Sequence, residues 1–191
     1  MESDQERWDK KYGKDKFLLN RSPSPFLKKQ VGTLEKGVAL DLASGEGRNA
    51  VFLAEKGWKA DAVDISPVGL RKARKLAKEA GVKINFLQAD LGFYPIPKEK
   101  YDLITVLYFW DRRLVPRIKR GLKKGGRVLI ETYTLETLFL SLEGPREAKY
   151  LLKSNELLNL FRDFRIHFYR EGVFREEGKR KAIASLVAEK T

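Results

Sequence analysis

Apolar positions follow two alternating rhythms along the chain. Short stretches rich in apolar and β-branched residues occur at 38–42, 59–65, 82–87, 101–109 and 127–133. Runs of this length match strands buried on both faces. The stretches between most of them carry a helical period. After residue 48, Val51, Phe52 and Leu53 mark a helix that stops at Lys56-Gly57, where glycine suits the position just past a helix end. Between 67 and 80, Leu70, Ala73, Leu76 and Ala77 share one face, and lysine and arginine take the other. Ser66-Pro67 supplies an N-cap and a first-turn proline for that helix, and Gly81 closes it. A shorter helix fits 114–122, and Lys124-Gly125-Gly126 reads as the turn before the last run. The order β-α-β-α-β-loop-β-α-β over 38–133 predicts βαβ units and a parallel sheet.

The flanks are less regular. A short helix is expected around 5–12 in a polar segment holding Trp8, Tyr12 and Phe17, and a second at 26–31 after the bend at Pro23 and Pro25. Together they read as a helical flap. Residues 134–152 are broken by Gly144-Pro145 and read as an insert, followed by a helix over 154–161 capped by Ser154. Two strands, 164–169 and 182–189, flank a charged connector and predict a hairpin at the end of the sheet. The 191 residues read as a single domain with a flap at 1–36, a core at 37–133, and the insert and hairpin at 134–191.

Composition narrows the chemistry. There is no cysteine, hence no disulfide and no thiolate nucleophile. The one histidine, His167 in FRIHFY, reads as structural, and no metal site is expected. No apolar run reaches membrane-spanning length and the N-terminal residues are too polar for a signal peptide, so a cytoplasmic protein with no membrane partner is the expectation. Lysine and arginine outnumber acids 39 to 26, a net charge of +13. That excess serves either nucleic-acid attraction or solubility. High Lys, Arg and Glu without cysteine fits a thermophile.

The chemistry concentrates where the first run ends, at DLASGEGRN. Gly45 and Gly47 allow a sharp bend and close ligand approach, and the helix that follows presents unpaired N–H groups. The spacing is neither Gly-x-G-x-x-Gly nor a Walker loop. Asp41, Asp64, Asp90 and Asp111 fall at or near strand ends, where open parallel sheets bind ligands. Asp64 suits ribose hydroxyls and Asp90 an adenine amino group. Asp41 and Glu46 disfavour a diphosphate beside the turn and favour a cationic amino or sulfonium group, as in S-adenosylmethionine.

The segments WDKKYG, NRSPSPFL, LDLASGEGRNAVFLAEKGW, AVDISPVGLRKARKLA, FLQADL, YDLITVLYF, LVPRIKRGLKKGGRVLIETYT and YLLKSNELLNLF resemble class I S-adenosylmethionine-dependent methyltransferases. Within these the chain resembles the small tellurite-resistance-type and thiopurine-methyltransferase-like branch. The resemblance implies a Rossmann-like three-layer α/β sandwich. Its sheet would be seven-stranded, mostly parallel, ending in an antiparallel hairpin, with the N-terminal flap closing over the cofactor. It further implies S-adenosylmethionine as cofactor and S-adenosylhomocysteine as product. The implied cofactor residues are Trp8, Tyr12, Asn20, Asp41, Ala43, Ser44, Gly45, Gly47, Arg48, Asn49, Asp64, Ile65, Ser66, Ala89, Asp90, Leu91, Leu107 and Tyr108. Ser44 stands where many relatives carry glycine or cysteine. Acceptor-side candidates are Tyr108, Trp110, Arg112 and Tyr133, together with Phe109, Arg113 and Glu131; no catalytic residue is assigned.

Methyl transfer by in-line attack needs alignment more than a strong acid or base, consistent with this residue inventory. The Asn/Asp-Pro-Pro-Tyr/Phe sequence of many nucleobase methyltransferases is absent; Leu107-Tyr108-Phe109-Trp110 stands in its place. A small-molecule or metalloid-anion acceptor is therefore the first expectation. RNA or protein methylation through the basic surface, and non-catalytic cofactor binding, are the alternatives. A monomer or homodimer is expected.

Overall fold

The computed structural model describes residues 2–18, 20–32, 34–176 and 178–191. Met1, Leu19 and Thr33 of the expected flap and Glu177 of the expected hairpin lie outside them. Among the described residues, seven strands form one sheet in the order β3-β2-β1-β4-β5-β7-β6. They are β1 Val38–Leu42, β2 Lys59–Asp64, β3 Ile84–Gln88, β4 Tyr101–Leu107, β5 Leu122–Tyr133, β6 Arg165–Glu176 and β7 Lys179–Glu189. β1 pairs with β2 and β2 with β3 in parallel. β7 lies antiparallel to both β5 and β6. The helices are α1 Asp4–Tyr12, α2 Pro25–Val31, α3 Arg48–Glu55, α4 Pro67–Glu79, α5 Leu114–Gly121, α6 Glu136–Phe139 and α7 Glu156–Leu160.

The chain divides into two compact units. The first comprises residues 1–95 and 101–104 and holds α1 to α4 and β1 to β3. Ala39, Leu40 and Leu42 of β1 and Ala62 and Val63 of β2 are wholly buried, so both faces of these strands are covered. α4 lays Leu70, Ala73, Leu76 and Ala77 into the interior, as its period requires. Its N-terminus follows the expected design, with Ser66 Oγ accepting the Gly69 N–H at 3.0 Å and proline in the first turn. One polar group inside this unit was not foreseen. Asp61, in mid-strand and buried, accepts the Tyr101 hydroxyl at 2.9 Å and the Asn85 amide at 3.0 Å.

The second unit comprises 96–100 and 105–191. Its core joins Val128, Leu129 and Ile130 of β5, Ile183 and Leu186 of β7, and Leu157 and Phe161 around α7. Several expectations change here. The glycine pair at 125–126 is not a turn ahead of β5 but lies inside it, because Gly125 N–H reaches Lys190 O and Lys190 N–H reaches Gly126 O. β6 and β7 extend through the charged stretch expected to be a connector, pairing in register as far as Glu176 and Lys179. β4 stops at Leu107 because Tyr108 takes a left-handed conformation, φ 59°. Ser154 does not cap α7. Asn155 occupies the cap with φ 57°, and the Glu156 carboxylate accepts the Lys153 N–H instead. Over 134–152, α6 and a short 3-10 turn at Ala148–Tyr150 lead to a parallel bridge between Thr134 and Leu152. Among the described residues, no helix is long and apolar enough to cross a membrane.

Candidate functional site

In the first unit the segment after β1 turns through three left-handed residues, Ala43 (φ 56°), Gly45 (φ 53°) and Gly47 (φ 84°). The glycines bear this conformation without strain, whereas Ala43 pays a steric cost of about 1 kcal/mol. Gly47 N–H closes the bend on Ser44 O at 2.9 Å, and Ser44 N–H ties it to Val63 O of β2 at 3.1 Å. α3 then begins with no side-chain cap, so its N-terminal N–H groups and dipole face the turn.

Asp64, at the end of β2, is 5% exposed. One carboxylate oxygen accepts the Gly45 N–H at 2.7 Å and the other the Ser66 N–H at 2.8 Å. Burial pushes its carboxyl above the ordinary carboxylate value, against the pull of those two N–H groups toward the charged form. A carboxylate has about four acceptor positions, so two remain for a ligand. Asp41 is likewise buried. Ser44 Oγ is buried with no hydrogen-bond partner among the described residues. Buried acids, an unused hydroxyl and an uncapped helix start fit a ligand with hydroxyls and a positive charge, as S-adenosylmethionine has.

α1 packs on this turn. A Cβ placed on Gly45 would lie 2.6 Å from Tyr12 Oη, and one on Gly69 would lie 3.0 Å from the Tyr12 ring. Burial, reinforced by the negative charges of Asp64 and Glu46, pushes the Tyr12 phenol up, so it stays neutral and a donor. Trp8 stacks on Tyr12 with ring centroids 5.5 Å apart. Asp9 accepts the Ser66 hydroxyl in a short hydrogen bond, which uses that side chain's single donor while its oxygen caps α4.

Other expected cofactor residues have structural partners. Arg48 Nη1 donates to Ser22 O at 3.1 Å and Asn20 Oδ1 at 3.5 Å, and Asn49 Oδ1 accepts the Ser24 N–H at 2.9 Å. These side chains fasten 20–24 to α3. Ala89 N–H donates to Asp64 O at 3.0 Å, Ile65 is half-buried and Leu91 is buried. Asp90 is exposed and turns its carboxylate to the Gly92 N–H at 2.7 Å. Sequence reasoning missed Lys72. It pairs with Glu46 at 2.9 Å, and the helical face it shares with Arg71 and Lys75 masked it as a solvent lysine.

The second unit gathers most acceptor-side candidates at the carboxyl ends of β4 and β5. Tyr108 Oη lies 3.1 Å from Glu131 Oε1 and 2.9 Å from Glu176 Oε2, and its ring lies 5.6 Å from that of Tyr133. Arg170 bridges the two carboxylates at 3.1 and 2.6 Å, and Ser185 Oγ donates to Glu131 at 2.7 Å. Lys181 sits 4.7 Å over the Tyr108 ring. Burial and the neighbouring carboxylates push the Tyr108 phenol up. Burial, with Glu176 adding to it, raises Glu131 above its ordinary value, although Ser185 and Arg170 act in the opposite sense. Leu107 and Trp110 are buried, and Trp110 Nε1 has no hydrogen-bond partner among the described residues.

Arg112 does not join this cluster. Its guanidinium holds Glu156 at 2.6 and 2.8 Å and the carbonyls of Lys149 and Leu151 at 2.9 and 2.8 Å, stapling the insert. Asp111 is spent locally on Arg113. His167, on β6, pairs with Glu189 at 2.8 Å. Among the described residues, no three histidine, cysteine or acidic side chains are grouped to hold a metal.

Comparison with known proteins agrees with the fold and the glycine turn. The profile of a family described as "Methyltransferase domain" matches residues 39–126. A demethylmenaquinone methyltransferase from Thermus thermophilus is 34% identical over 98 residues, 48% of this chain and 44% of the relative. A ribosomal protein L11 methyltransferase from the same species is 36% identical over 93 residues, 48% of this chain and 36% of the relative. The matched segment thus spans less than half the length of either curated relative. Among solved structures, TehB from Haemophilus influenzae superimposes with a TM-score of 0.75 at 19% identity, covering 98% of this chain and 67% of that one. An S-adenosylmethionine-dependent methyltransferase from Mesorhizobium loti gives 0.71 at 19% identity, covering 87% and 96%. The protein is therefore built on the fold of the class I S-adenosylmethionine-dependent methyltransferases, and its residues 39–126 match the methyltransferase-domain profile.

Proposed function

We propose that the protein transfers the methyl group of S-adenosylmethionine to a small-molecule acceptor. When bound, S-adenosylmethionine supplies an electrophilic methyl on a sulfonium. Asp64 takes the ribose hydroxyls on its two remaining acceptor positions. The Ser44 hydroxyl and the N–H groups at the start of α3 hold the polar remainder, and the buried Asp41 favours its positive charge. Tyr12 and Trp8 cover the turn and exclude water from it.

The observation that carries a small acceptor is the tight packing of the insert in the second unit. Leu151 and Leu152 are wholly buried, Thr134 bridges to Leu152, and a Cβ on Gly144 would lie 2.8 Å from Thr137 and 3.1 Å from Tyr133. An insert pressed this closely onto the end of β5 suits a small ligand better than a broad macromolecular groove. A macromolecular acceptor is the second reading, favoured by the exposed Arg71, Arg74, Lys75 and Lys78 of α4. The two Thermus relatives, named for demethylmenaquinone and for a ribosomal protein, do not choose between them.

The test is methyl transfer from isotopically labelled S-adenosylmethionine to a panel of phenols, thiols, amines and metalloid oxyanions, beside total RNA and ribosomal protein. Turnover on a small organic acceptor is expected. Label appearing only in RNA or protein would establish the second reading. Tight cofactor binding with no label transferred anywhere would mark a non-catalytic binding protein.

A further inference from the structure

Residues 13–18, directly after α1, run over the glycine turn of the first unit, and an ion pair ties them there. Glu46 lies inside the turn, between its two glycines, and is only 7% exposed. Its Oε1 meets Lys72 Nζ of α4 at 2.9 Å, and its Oε2 accepts the Leu18 N–H at 2.7 Å. Both oxygens are thus used. Lys72 Nζ also donates to Lys14 O at 2.5 Å and Lys16 O at 3.2 Å. The same ammonium lies 5.5 Å over the ring of Phe17, which packs against Val51, Leu76 and Ala77. Three backbone groups of one short strap therefore converge on a single Glu–Lys pair. The strap begins just after Tyr12, the side chain lying against Gly45.

This arrangement is more than surface pairing. An exposed ion pair contributes little. Here Glu46 is nearly buried, and losing Lys72 would leave its charge without a cation and two strap carbonyls without a donor. Glu46 also belongs to the backbone bend that forms the cofactor cradle, so the strap cannot swing away without breaking contacts to the cradle itself. We propose that the Glu46–Lys72 pair is a latch that holds residues 13–18 closed over the glycine turn and sets the rate at which the cofactor enters and leaves. Both are positioning residues, acting through the strap and through Tyr12, and the inference rests on S-adenosylmethionine being the ligand of this turn.

The test compares wild type, Lys72→Met and Lys72→Arg, with S-adenosylhomocysteine as the probe. Its dissociation rate is measured by stopped-flow displacement, and amide hydrogen exchange is followed over residues 13–18 and over β1 and β2. Lys72→Met is expected to raise the dissociation rate about tenfold or more. Exchange should quicken at 13–18 and remain unchanged in the two strands. Lys72→Arg keeps the charge and should stay close to wild type. Freed strap amides with an unchanged dissociation rate would show that the strap is no gate. Unchanged strap amides would show that the pair does not hold it. Failure of the wild type to bind S-adenosylhomocysteine would overturn the cofactor reading and the gate together, while the exchange data would still decide whether the pair holds the strap.

Discussion

Asp64→Ala is the most direct trial of the cofactor site. The wild-type carboxylate accepts Gly45 N–H and Ser66 N–H at 2.7 and 2.8 Å, leaving about two acceptor positions for ribose hydroxyls. A hydrogen bond to a charged group contributes about 1.5–3 kcal/mol, so losing two removes about 3–6 kcal/mol of binding. That corresponds to a roughly 10²- to 10⁴-fold weaker Kd. Stability should change much less. Two N–H groups lose their acceptor, at about 1–3 kcal/mol each where no water replaces it. The variant also loses a buried charge whose pKa is raised by burial, which opposes that cost. Titration calorimetry with S-adenosylhomocysteine reads the affinity, and thermal unfolding with and without ligand reads the stability. A folded Asp64→Ala protein binding within fivefold of wild type would refute the ribose assignment.

Three further outcomes follow from the same geometry. Glu131 has a folded pKa raised by burial, so its contribution to stability is complete below the unfolded value and is lost as pH rises through the folded one. In urea unfolding across weakly acidic to neutral pH, the stability of wild type relative to Glu131→Gln should therefore fall with rising pH, and a flat or rising difference would contradict the buried-carboxylate account. Arg112→Met removes four hydrogen bonds, two to carbonyls of the insert and two to Glu156 of α7, and should cost about 2 kcal/mol in chemical denaturation, discounted for the partial exposure of the guanidinium. A variant as stable as wild type would return Arg112 to the acceptor candidates. Gly45→Ala strains a left-handed residue and drives a methyl toward Tyr12 Oη. Its cost should be smaller in a Tyr12→Ala background, and strict additivity in that double-mutant cycle would mean that the two residues do not touch.

The sequence by itself determined the order of elements and the place of the glycine turn. β1 matches its expected bounds, and α3, β2, α4 and α5 match theirs to within one residue, because apolar runs, helical periods and caps are local signals. The buried Asp64 beside the turn was legible for the same reason: a strand end and a glycine bend are both written in neighbouring residues. Asp90 and Asp111 carried the same outward signal, and one carboxylate accepts a turn N–H while the other pairs with Arg113. Position at a strand end does not say which way a carboxylate will turn.

What only the tertiary structure decided is the partner of each charge. Arg48 and Asn49, expected at the cofactor, fasten residues 20–24, and Arg112 staples the insert to α7. Glu46 and Lys72, 26 positions apart, meet only because β2 and α4 return the chain to the turn. The full length of β6 and β7 was hidden as well, since half-buried strands tolerate charges that read as a connector, and over that charged stretch it is their mutual register that supplies the backbone hydrogen bonds. Apolar burial depends on a residue's own chemistry and its spacing, so it can be read along the chain. A buried or half-buried charge depends on a partner brought from elsewhere, and that partner exists only once the chain has folded.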